Sequence, residues 1–144
     1  MRLWNPLLIP RLPNKQLVSQ WRELNNIYKK QPKHILINFI YNYDKEHLYA
    51  YSMLVINEMK ERNLKIKSYE KFNNYFQMIN RDTANLSLRY AEHDLKDLLS
   101  CYFNLEEKYR RGQKDFDYRT WYELYLIVGY ELAKRGIKDV SEIL

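Results

Sequence analysis

Apolar side chains recur at intervals of three and four residues along most of this chain, and that spacing constrains its fold more than any other feature. Behind Asn14, a suitable N-cap, the side chains Leu17, Val18, Trp21, Leu24 and Tyr28 form one stripe of a helix running to about Lys30. Asp44 caps a second helix over about 45–62, with Leu48, Tyr51, Ser52, Val55 and Met59 at core spacing and Asn63 as a left-handed C-cap. Residues 68–80 carry Tyr69, Phe72, Phe76 and Ile79 and predict a shorter helix. A long helix is expected over about 86–110, from Leu95, Leu98, Leu99, Tyr102 and Leu105, and a last one over about 118–135, ending at Gly136. His34–Tyr43 fits either a strand or a short buried helix. Nothing demands a sheet. The expectation is an all-α, compact single-domain helical bundle over 1–144, made of an N-terminal arm (1–13), a core (14–66) and C-terminal helices (67–144).

The first thirteen residues break the pattern. Pro6, Pro10 and Pro13 rule out a continuous helix and predict an extended arm. Leu3, Trp4, Leu7, Leu8, Ile9 and Leu12 make that arm too apolar to float, so it should pack on the body. The same prolines, with Arg11, interrupt any signal-peptide core, and the longest apolar run is too short to span a bilayer. A single cysteine, Cys101, excludes a disulfide framework and suits a reducing compartment, hence the cytoplasm.

Charge is distributed very unevenly. The formal net charge is +6, and the first 34 residues hold all of it: Arg2, Arg11, Lys15, Arg22, Lys29, Lys30 and Lys33 stand against one acid, Glu23. Residues 35–144 balance. Clustered cations among amide and aromatic side chains are the electrostatic footprint of a phosphate binder, although an ordinary solvated face is as good a reading of the charge alone. Glu23 sharpens the choice. A carboxylate in a phosphate-facing patch repels the ligand, so its presence points to a purpose such as acid–base work or stabilising a cation. At 100° per residue it shares a flank of the first helix with Gln16 and Gln20, at the edge of the apolar stripe, while Arg22 and Lys15 lie on the opposite flank.

Other chemistry is poorly supported. His34, His47 and His93 have no close metal-ligand spacing, no Gly-rich phosphate loop or serine-nucleophile motif occurs, and Cys101 sits among leucines and tyrosines as a core thiol would. No cofactor is expected. Tyr118, Trp121, Tyr122 and Tyr125 cluster at helical spacing and serve either as core or as a stacking surface for unstacked bases.

The segments MRLWNPLLIPRLP, QLVSQWREL, KHILINFIYNYD and LYAYSMLVINEMKERNLKI, together spanning most of residues 1–66, resemble the pyrimidine-dimer DNA glycosylase family (endonuclease V-like), and its bacterial branch in particular. Arg22-Glu23-Leu24 is the central element. Arg119-Thr120-Trp121-Tyr122, with Tyr125, resembles the family's aromatic C-terminal motif. The resemblance implies double-stranded DNA as partner, a monomer, and an N-terminal α-amine as nucleophile. That amine attacks C1′ of the damaged nucleotide, forms an imine, and the strand is cut by β-elimination. The resemblance gives Glu23 the helper role in sugar opening and gives Arg2 and Arg22 phosphate contacts. With Arg2 following it, Met1 should be retained and supply the amine. A family histidine early in the first helix is replaced here by Gln16, and a family arginine after the Arg-Glu-Leu triplet by Asn25 or Asn26. The rival expectations are a non-catalytic DNA-binding module of the same fold and a helical protein-interaction domain.

Overall fold

The computed structural model describes residues 1–143 and is all-α: among the described residues there are helices, turns and coil, and no strand. The α-helices are α1 (Asn14–Lys30), α2 (Lys45–Glu61), α3 (Glu70–Tyr75), α4 (Leu95–Arg110) and α5 (Tyr118–Lys134), with 3-10 segments at Pro6–Arg11, Asn38–Asn42 and Val140–Glu142. None is long and apolar enough to cross a membrane.

Local chemistry sets most boundaries. The side chains of Asp44, Asp94 and Asp117 accept from backbone N–H groups in the first turns of α2, α4 and α5, meeting donors that a helix start leaves unpaired. Asn63 ends α2 in the left-handed region at φ 58°, and the Leu64 N–H returns to the Met59 carbonyl at 2.8 Å, which closes the last turn. Gly136 does the same after α5 at φ 71°.

Three expectations are corrected. The arm is not extended, because Pro6–Arg11 winds into a 3-10 helix: Asn5 accepts from the Leu7 N–H, and Pro6 sits where a helix start needs no donor. The helix expected from residue 86 begins at Leu95, since the Asp94 side chain captures the Asp97 N–H and fixes the first turn there. The helix expected over 68–80 is limited to Glu70–Tyr75. His34–Tyr43, left open above, is a turn followed by a 3-10 helix.

The chain forms two compact units. The first comprises Met1–Leu3 and Gln16–Tyr90. Its core joins Leu17, Leu24 and Ile27 of α1 to Val55, Ile56 and Met59 of α2, all at most 1% exposed. An aromatic cluster of Trp21, Tyr28, Tyr49, Phe72 and Phe76, with ring centroids about 5–6 Å apart and mostly edge-to-face, seats the short α3. The second unit comprises Trp4–Lys15 and Ala91–Leu144. There Leu8, Ile9 and Leu12 are buried together with Leu98, Leu99 and Leu105 of α4 and Leu124 of α5, and Asn5 donates to the Asp97 carboxylate at 3.0 Å. Cys101 is fully buried in α4, as a core thiol.

Candidate active site

The flank of α1 that carries Gln20 and Glu23 faces the start of the chain, and hydrogen bonds hold the two together. Gln20 is fully buried. Its side-chain amide donates to the Arg2 carbonyl at 3.0 Å and to the Glu23 carboxylate at 3.3 Å. Its amide oxygen accepts from the Tyr51 hydroxyl of α2 at 2.9 Å. The Arg2 backbone N–H donates to Glu23. The Arg2 residue is therefore gripped on both sides, its N–H by the carboxylate and its carbonyl by Gln20. That grip holds the peptide that joins Met1 to Arg2.

Electrostatics follow from this packing. Glu23 is half-buried, and burial raises its pKa above the usual carboxylate value. The positive N-terminal amine is the largest influence holding the pKa down, ahead of the Arg2 N–H and the charges of His34 and Arg22. The carboxyl group can thus carry a proton more readily than a solvated glutamate. It also stands within electrostatic reach of the terminal amine.

A family model described as pyrimidine dimer DNA glycosylase matches residues 1–71, which contain every group in this network. Residues 1–71 belong to the pyrimidine dimer DNA glycosylase family. Comparisons with curated proteins and with solved structures give no match. DNA is accordingly the substrate class that goes with the glycosylase family, and repair its setting.

The other expected site residues fall in several places. Arg22, Lys29, Lys30 and Lys33 are exposed on or just beyond α1, Lys33 with its ammonium 4.4 Å from the Tyr41 ring centroid. Lys15 is exposed beside Lys108, Arg111 and Lys114, and its backbone N–H donates to Asp115. Arg11 is already engaged, in an ion pair with Glu123 at 3.0 Å. In the second unit, Trp121 lies between Tyr109 and Tyr125, with interplanar angles of 14° and 27°. Tyr122 continues the stack at 11° to Tyr118 and 19° to Tyr125. Trp121 is thus interior to the stack, and Tyr118, Tyr122 and Tyr125 are its exposed members.

Three residues of the network were not singled out as site residues from sequence: Gln20, Tyr51 and His34. Gln20 had a signal, its place on the Glu23 flank. The other two had none, because Tyr51 reads as ordinary core at helical spacing and His34 reaches Glu23 only through the fold. Gln20→Ala is expected to leave the buried Tyr51 hydroxyl without its acceptor, at a cost of about 1–3 kcal/mol in denaturant unfolding. If Gln20 acts by positioning the terminus, the variant also slows the chemical step on bound DNA while DNA affinity holds. Equal loss of affinity and rate would limit Gln20 to a structural role.

Proposed function

We propose that this protein is a DNA repair glycosylase with AP-lyase activity on pyrimidine dimers or other base lesions, acting through an imine on the Met1 amine with Glu23 as its helper. The observation that carries the reading is the Gln20–Arg2–Glu23 network, which keeps the first peptide of the chain against the half-buried Glu23 carboxylate.

The chemistry is addition followed by elimination. The amine nitrogen attacks C1′, and the bond from C1′ to the base breaks with its electron pair leaving on the base, which takes up a proton. Loss of an amine proton and opening of the C1′–O4′ bond give the imine, and Glu23 supplies the proton that O4′ gains. The carboxylate left behind then opposes the positive charge of the protonated imine. Removal of a C2′ proton expels the 3′ phosphate and cuts the strand, and water returns the amine. No step draws on a cofactor. An α-amine suits the role because amines of this type titrate closer to neutral pH than lysine side chains do.

Arg2, Arg22, Lys15, Lys29, Lys30 and Lys33 would hold phosphates, giving an affinity that falls linearly in log K against log salt. Arg11, held by Glu123, would contribute least of the proposed basic contacts. The exposed rings of Tyr118 and Tyr122 would stack on unpaired bases. Tyr122→Ala should then weaken binding to duplexes with an unstacked base by about 1–3 kcal/mol and leave binding to intact duplex nearly unchanged. Equal weakening on both duplexes would remove the stacking role.

Borohydride trapping tests the function as a whole. A covalent protein–DNA adduct on abasic and ultraviolet-irradiated duplexes, absent on undamaged duplex, is the expected result. A pure protein that binds DNA but yields no adduct on either damaged substrate would leave a non-catalytic binding module in its place.

A further inference from the structure

A second basic feature lies in the first unit, on the flank of α1 that carries Arg22. A cleft of about 690 Å³ is walled by α1 on one side and by residues 65–71 on the other. Its rim carries Arg22, Lys29, Lys30, Lys65, Lys67 and Lys71, and no acid lines it. All six cations are exposed, and none belongs to an ion pair among the described residues. Arg62, Arg110, Arg111 and Arg135, by contrast, each pair with a glutamate one helical turn back. Six cations outside any such pair thus share one concavity. Like charges gathered there repel one another, and a bound polyanion would relieve that repulsion.

The layout favours a chain of phosphates over a single one. Arg22 and Lys29 are seven residues apart on α1, roughly 10 Å along its axis. At a rise of about 3.4 Å per nucleotide along one strand, that distance spans about three nucleotide steps. Lys65 and Lys67 alternate along non-helical backbone opposite, and Lys71 follows in α3. Asn26 and Ser68 add uncharged hydrogen-bonding groups between the two rows of cations. Trp21 closes the floor but is only 7% exposed, so the cleft offers a strand charge and width and no free aromatic face.

We propose that this cleft is a phosphate track for the nucleic-acid backbone, in which Lys65, Lys67 and Lys71 form a second wall that the N-terminal charge cluster does not include. The proposal rests on the repair-enzyme reading only in taking DNA as the occupant, and it requires no chemistry at Met1 or Glu23.

The test is the salt dependence of affinity for an undamaged duplex, measured for the full chain and for Lys65→Gln, Lys71→Gln and the triple variant with Lys67→Gln. Each cation that holds a phosphate contributes about 0.9 to the slope of log K against log salt. The single variants should each lower the slope by about that amount and the triple variant by about 2 to 3. A triple variant with the parent slope and affinity overturns the proposal. The two readings fail separately. If the parent protein traps an adduct and the triple variant keeps the full slope, the cleft assignment is wrong and the repair chemistry stands. If the slope falls as expected and the parent traps nothing, the cleft assignment stands and the chemistry does not.

Discussion

Glu23→Gln is expected to abolish strand cleavage and imine trapping almost completely while leaving DNA affinity equal to the parent's or higher. The substitution keeps an oxygen that can accept from the Arg2 N–H and from Gln20, so the local geometry survives and only the proton and the charge are lost. Removing a positioned acid–base group usually costs about 10²–10⁴ in rate. Here the loss should lie at the upper end, because one group serves both the O4′ protonation and the cationic intermediate. Affinity should not fall, since the variant removes a negative charge from a phosphate-facing surface.

The same substitution has an opposite effect on stability. Burial raises the Glu23 pKa in the folded state, so below the ordinary carboxylate range both folded and unfolded chains hold the proton and the residue makes no difference. As pH rises past the ordinary value, the unfolded chain releases its proton first, and stability falls until the folded-state pKa is passed. The Glu23→Gln variant would escape that loss. Thermal unfolding should therefore show the variant more stable than the parent at neutral pH, with the advantage shrinking as pH drops below the carboxylate range. A variant less stable at neutral pH would mean that the amine and the Arg2 N–H outweigh burial.

Blocking the terminal amine should be equally damaging, by a different route. Acetylation removes both the nucleophilic lone pair and the positive charge nearest in effect to Glu23. Trapped adduct should fall below detection on abasic DNA, while binding to duplex weakens only by the share of one positive charge, about one unit or less of salt slope. The raised Glu23 pKa should rise further, because the largest influence holding it down is gone. Adduct formation at the parent rate by a fully blocked chain would move the nucleophile to a lysine.

The helices were legible because their stripes and caps are local. The Asp44- and Asp117-capped helices carry their own start signals within one turn, whereas Asn14, expected as a cap, is the first residue of α1. The α4 start lies about nine residues beyond the expected one because Asp94, rather than the apolar spacing before it, caps the first turn. The arm differs from the extended expectation because prolines forbid an α-helix but suit the first turn of a 3-10 one. In the site, Glu23 stood out as an acid alone among cations, and the terminus came with the family resemblance. What joins them was not legible: Tyr51 and the Arg2 carbonyl meet Gln20 only when α2 and the start of the chain pack on α1. Charge summed along the sequence also concealed the second wall of the cleft. Residues 35–144 are neutral in total, yet Lys65, Lys67 and Lys71 are gathered at one rim.

If the start of the chain is held at Glu23 in order to react, mass-spectrometric mapping of the borohydride-trapped adduct on an abasic duplex should find one modified nitrogen. That nitrogen is the α-amine of Met1, with the deoxyribose remnant attached through a secondary amine. A remnant on a lysine side chain, with the Met1 amine unmodified, would rule out the terminus as nucleophile.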